Sequence, residues 1–248
     1  MTTARSAVTW PAMLLAAAVS ATGCATEGSS TAKQHEALPR APTAGQELFA
    51  DGFDSDANGW ALPETAVGRM NFDDGDFVWE SKVPNLRPHV IAETLGKQYD
   101  AGTLEMRDVV VIANVTIARG KAAAGVFCRE VPDSDSEFQW YEFVVRDGFA
   151  AIRRSDSGGH IEVLVRTDDA QLPIGKKAMI TGICRDDAQG RGDLWLSLNG
   201  NTLLHYRDAK PLANGAPGIV AYDSPGKAAG DRFLIRWHDF AVHKAQDP

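Results

Sequence analysis

An all-β chain, built of antiparallel sheets closed into a sandwich or barrel, is the fold class that this 248-residue sequence predicts. Three observations carry that prediction. Short apolar runs, about a dozen of them, follow one another with turn formers between, as antiparallel sheets require. Asp74-Gly75, Asp147-Gly148 and Asn199-Gly200 each stand between two such runs, and these dipeptides are strong two-residue hairpin signals. Beyond the N-terminal stretch no segment holds an apolar period of 3.6 residues, and Asp169 to Leu172 offers one helical turn at most. No internal repeat of roughly 20–50 residues is present, which argues against a propeller or solenoid.

The first residues read as an export signal. Arg5 supplies the positive start, and Met13 to Val19 forms an apolar core too brief to span a bilayer. Ala21-Thr22-Gly23-Cys24 follows and resembles the bacterial lipobox, in which the Cys becomes lipid-modified and N-terminal; the pattern prefers Leu where Ala21 stands. Residues 1–23 are therefore expected to be a lipoprotein signal peptide, with Cys24 as the membrane anchor on the extracytoplasmic face. The alternative is ordinary cleavage near Ala21 and a soluble secreted protein. Residues 24–45, rich in Ala, Ser, Thr, Pro and Gly without apolar period, are expected to be a flexible tether with a reach of about 25 Å.

A folded domain over residues 46–246 is expected next. Glu47-Leu48-Phe49 begins a strand, and Asp54-Ser-Asp56-Ala-Asn58-Gly59 has the rhythm of a calcium loop. Thr65 stands where that loop needs Glu, so Asx-type turns explain the segment and no metal site is assigned. Phe77 to Glu80 follows Asp74-Gly75. Val109, Val111, Ala113, Val115 and Ile117 share one face of a strand whose other face starts apolar, the pattern of a central strand covered on both sides. From Gly125 to Arg154 runs an antiparallel meander. Within it Tyr141, Phe143 and Val145 share one face, and Trp140, Glu142, Val144 and Arg146 the other. Further strands are expected at Ile161–Val165, Lys177–Cys184, Asp193–Leu198, Thr202–Tyr206, Gly218–Tyr222 and Phe233–Val242.

Composition narrows the function classes. Lys+Arg number 25 against Asp+Glu 33, a formal charge of −8 without basic tracts, which argues against a nucleic-acid partner. The three Cys are Cys24, Cys128 and Cys184. Lipidation of Cys24 accounts for the odd one in an oxidising compartment and leaves Cys128 and Cys184 as a disulfide pair, two buried thiols being the alternative.

The order of segments resembles a known family, the concanavalin A-like lectin/glucanase sandwich in its laminin-G-like or DUF1080-like form. The resemblance is carried by FADGFDSDANGW, DGDFVW, GVFCR, WYEFVVRDGFAAIRR, GICR with LWLSLNGNTLL, APGIVAYDSP and RFLIRWHDFAV, spanning about Leu48 to Val242. His238-Asp239-Phe240 departs from the family's commoner Phe-Asp-Asp/Asn-Phe. The resemblance implies a single-domain antiparallel jelly-roll of two curved sheets, a concave face that holds sugars in related domains, and occurrence on exported lipoproteins.

Catalytic signatures are missing from the sequence. Glucanases of this fold carry E-x-D-x-x-E on one strand, with two carboxyls about 5–5.5 Å apart. Here Glu137 and Glu142 fall on opposite strand faces, and Asp76 and Glu80 would stand about 13 Å apart. Asp133, Asp135 and Glu137 sit in a Ser- and Pro-interrupted loop. G-x-S-x-G and H-E-x-x-H are absent, the histidines have no ligand spacing, and no cofactor is implied. A non-catalytic binding module for carbohydrate or envelope ligands is the expectation; a glycoside-active enzyme of the 3-keto-disaccharide hydrolase type is the alternative. Sugars are held by aromatic faces and planar polar side chains. The candidates are Trp140, Glu142, Arg146, Arg129 and Trp195, followed by Trp79, Tyr206 and Trp237; the competing reading of each Trp is as core filling.

Overall fold

Among the described residues, alternating apolar residues make fourteen strands and turn formers separate them. In the computed structural model the described residues are 38–60, 68–81, 89–100, 102, 106–132, 138–158, 160–223 and 232–248. The elements are β1 Thr43–Asp51, β2 Gly68–Asp73, β3 Asp76–Ser81, β4 His89–Val90, α1 Glu93–Asp100, β5 Val109–Arg119, β6 Ala122–Pro132 and β7 Phe138–Arg146. They continue as β8 Phe149–Asp156, β9 Ile161–Thr167, β10 Lys177–Asp186, β11 Gly192–Leu198, β12 Asn201–Asp208, β13 Ala216–Asp223 and β14 Leu234–Gln246.

Two antiparallel sheets result, and together they form a single jelly-roll β-sandwich. One has eight strands in the order β12-β11-β10-β5-β14-β3-β2, with β1 also on β14; the other has six, in the order β4-β13-β6-β7-β8-β9. The long β14 shares one edge between two partners, Leu234–Trp237 lying beside β3 and Phe240 onward beside β1. Hairpins form at the expected dipeptides. Asp74 and Gly75 have φ 53° and 75°, Asn199 and Gly200 φ 51° and 79°, values that suit the right-handed strand twist.

The core lies between the sheets. Val109, Val111, Ala113, Val115 and Ile117 of β5 face Tyr141, Phe143 and Val145 of β7, with Ile180, Leu194, Leu196, Phe240 and Val242 around them. Trp60, Trp79 and Trp237 are fully buried in the same core. The opening motif acts as a turn: Asp51 Oδ1 accepts from Phe53 N, Asp51 Oδ2 from Trp60 Nε1 at 2.7 Å, and Asp56 Oδ1 from Trp60 N. These bonds seat Trp60 against Phe53, Phe77 and Phe240.

Cys128 of β6 and Cys184 of β10 form a disulfide with Cα atoms 6.6 Å apart, within the range a bridge tolerates. Both are fully buried, so the bridge ties the six-stranded sheet to the eight-stranded one through the core.

Helix α1 was not legible: it buries only Leu95, and its first amides, on Glu93 and Thr94, are satisfied by the carbonyls of Gly59 and Asn58 from a distant loop. Tertiary contact, not an apolar stripe, makes this helix. Asp169–Leu172 forms no helical turn. Strand β1 starts at Thr43, so the last three residues of the expected tether lie in a strand, and two of them are paired, Thr43 with Gln246 and Ala44 with Ala245. The signal peptide, Cys24 and the loop of Asp133, Asp135 and Glu137 lie outside the described residues.

Candidate functional site

The outer face of the six-stranded sheet carries the site. The two-residue turn at Asp147-Gly148 pairs Arg146 with Phe149, and every step back along the hairpin follows: Val144 with Ala151, Glu142 with Arg153, Trp140 with Ser155. Because side chains alternate, all of these point away from the core. On the other side of β7, Phe127 lies opposite Glu142, and Gly218 of β13 lies opposite Phe127. A Cβ at Gly218 would strike the Phe127 ring and the Val90 carbonyl, so only glycine lets β4, β6 and β13 meet here.

A cleft of about 170 Å³ opens at the Trp140 end of this face, its lining including His89, Trp140, Glu142, Arg153, Ser155 and Tyr222. His89 lies flat on Trp140, ring centroids 4.4 Å apart and planes 28° apart, with its edge to Phe127. Trp140 Nε1 donates to Glu142 Oε1 at 2.9 Å, and Arg153 donates to Glu142 Oε2. The Arg153 guanidinium also sits 4.4 Å from the centre of the Tyr222 ring, a cation–π contact. Both oxygens of Glu142 are thus engaged by its neighbours. Ser155 Oγ and Arg153 Nε, by contrast, are buried and have no hydrogen-bond partner among the described residues. Unsatisfied donors beside a cleft are what a hydroxyl-bearing occupant would engage.

One titrating group lines the cleft and a second stands behind it. Burial lowers His89 from its ordinary value, an effect partly offset by the carboxylate of Glu142. Burial pushes Glu130, beside His89, up to about 7. Among the described residues no group of three or more His, Cys, Asp or Glu side chains is placed to hold a metal ion.

The structure divides the remaining sequence candidates. Arg146 shares the outer face but stands at the opposite end of β7, its guanidinium over Phe149 at 4.9 Å, beside a separate cavity of about 290 Å³. Arg129 is fully buried away from the cleft. It donates to Leu212 O at 2.9 Å, Arg107 O at 3.1 Å and Asp186 Oδ1 at 2.8 Å, joining three chain segments. Trp195 belongs to the other sheet, on an outer face with Val110 and Ile183, and its ring lies 4.7 Å from that of His205. Trp79 and Trp237 are core residues, and Tyr206 is half-buried against the core. These positions share the alternation of Trp140; what differs is which sheet face their register presents, and a single strand does not encode that. His89, Arg153, Ser155 and Tyr222 were missed. The hairpin arithmetic places Arg153 and Ser155, but nothing local to His89 or Tyr222 points to the cleft.

No protein-family model matches the chain, and no curated protein matches it in sequence. Solved structures match its fold. A Bacillus subtilis protein of unknown function with a galectin-like fold shares 15% identity at a TM-score of 0.59, over 84% of this chain and 100% of that one. A Bacillus licheniformis β-glucanase shares 7% identity at 0.54, over 82% and 100%. A prokaryotic β-1,3-1,4-glucanase (lichenase) from a mouse hindgut metagenome shares 9% identity at 0.52, over 79% and 98%. In fold, this chain is similar to galectin-like and β-glucanase jelly-roll sandwiches.

Proposed function

We propose that the protein is an exported, lipid-anchored binding module whose cleft on the outer face of the six-stranded sheet takes a carbohydrate of the cell envelope. The observation that supports this most is the cleft itself. A stacked Trp140–His89 wall stands beside the Glu142–Arg153 pair and the partnerless Ser155 Oγ. Aromatic rings meet the C–H faces of a sugar and planar polar groups meet its hydroxyls. The cleft is smaller than a pocket for a drug-sized ligand, roughly 300–1,000 Å³, and suits a single sugar unit. Binding without turnover is favoured because both oxygens of Glu142 already accept from donors on its own sheet, Trp140 Nε1 and Arg153, so the carboxylate serves as part of the cleft wall.

A glycan array and a glycosidase panel test the reading together. Ser155→Ala is expected to leave stability unchanged or slightly raised, since its hydroxyl has no partner to lose, and to weaken glycan binding about tenfold. Trp140→Ala is expected to abolish binding. Turnover by the wild-type protein would sink the binding-module reading in favour of a glycoside-active enzyme. The anchor has its own test: Cys24→Ser should move the protein from the membrane fraction to the soluble one, and retention would refute lipidation at Cys24.

A further inference from the structure

Glu130 occupies a break in the sheet. The register of β6 against β7 slips between Cys128 and Val131, and Arg129 in the slip has φ 59°. Glu130 Oε2 lies 3.6 Å from His89 Nε2, a few tenths of an ångström beyond hydrogen-bond contact. That oxygen is buried and has no hydrogen-bond partner among the described residues. His89 in turn forms one wall of the cleft through its stack on Trp140. A buried carboxyl oxygen without a hydrogen bond is therefore one ring away from the ligand position.

We propose that one proton on Glu130 decides which ring nitrogen of His89 is the donor, and that the cleft thereby changes its hydrogen-bonding character with pH. A neutral imidazole carries a single N–H, so one nitrogen donates and the other accepts. With Glu130 protonated, its O–H donates to Nε2 and the ring proton sits on Nδ1. With Glu130 ionised, the proton moves to Nε2 to donate to the carboxylate, and Nδ1 becomes an acceptor. Since Nε2 is turned to Glu130, Nδ1 is the nitrogen left for an occupant of the cleft.

The surroundings place this exchange near neutrality. Burial keeps Glu130 protonated up to about pH 7 and keeps His89 neutral there. Among the described residues the charged groups facing the ring are Glu130 from β6 and Glu142 from β7, with Asp156 of β8 also lining the cleft; Arg153 of β8 is engaged by Glu142 and by the ring of Tyr222 from β13. Phe127 and Trp140 are its aromatic neighbours.

The consequence for ligand rests on the carbohydrate-binding reading; the proton exchange does not. The test uses the full chain with 15N-labelled histidine and tryptophan, followed by NMR from pH 5.5 to 9 without any saccharide. In the wild type the neutral His89 ring is expected to pass from the Nδ1–H to the Nε2–H form with a midpoint near pH 7, and the Trp140 indole signal to move with it. Glu130→Gln, whose amide does not titrate and mimics the protonated acid, is expected to lose that step. A single neutral tautomer across the range overturns the proposal, as does a step that survives in Glu130→Gln. An unmoved Trp140 signal overturns its link to the cleft. A blank glycan array beside an intact step would sink the carbohydrate reading alone.

Discussion

Replacing Glu142 with alanine is expected to destabilise the domain by about 3–5 kcal/mol, measured by urea unfolding at neutral pH. The carboxylate accepts from Arg153 and from Trp140 Nε1 in a setting where both its own side chain and that of Arg153 are more than nine-tenths buried. Removing it leaves a buried guanidinium without its counter-charge and a buried indole N–H without an acceptor. That loss exceeds the worth of the pair itself, because the desolvation already suffered by Arg153 is no longer offset. Replacing both partners by methionine is therefore expected to restore most of the stability while still abolishing the polar part of the cleft. A Glu142→Ala cost below about 1 kcal/mol would show that the pair is solvated in solution.

Loss of the Cys128–Cys184 bridge is expected to cost about 4 kcal/mol, on the chain-entropy estimate for a 56-residue separation. In a domain of this size that lowers Tm by on the order of 10 °C. The Cys128→Ser, Cys184→Ser double variant measures it by thermal unfolding. Because both sulfurs are buried in the core between the sheets, reductant should act on the native protein far more slowly than on the unfolded chain. Equal Tm values for the double variant and the oxidised wild type would refute a stabilising bridge. The bridge also bears on the site. It joins β6, which carries Phe127 and the slip at Glu130, to β10 of the opposite sheet. The sheet that bears the cleft is thereby fixed to the sandwich near the place where its register slips.

Much of this was readable from residues alone. Alternation in β5 and β7 fixes which side chains enter the core, because a strand's period of two leaves no other way to bury Val109, Val111, Ala113, Val115 and Ile117 together. Asp74-Gly75 and Asn199-Gly200 demand hairpins, because positive φ at consecutive residues suits few other sequences. The two-residue turn after Arg146 even sets the ladder that faces Glu142 with Arg153 and Trp140 with Ser155, so part of the cleft was implicit in that one turn.

Other features were decided only when the sheets came together. His89 stands on a strand of two residues with no period to detect, and it reaches Trp140 because β4 adds to the edge of β13. Helix α1 depends on carbonyls from another loop, and the burial of Arg129 depends on Leu212, Arg107 and Asp186 arriving from three directions. Local sequence encodes period and turn chemistry, and from these the fold class and the two faces of each strand follow. Which strand edges meet, and hence which Trp lines a cleft and which fills the core, is set by long-range pairing, whose free energy no short stretch of chain contains.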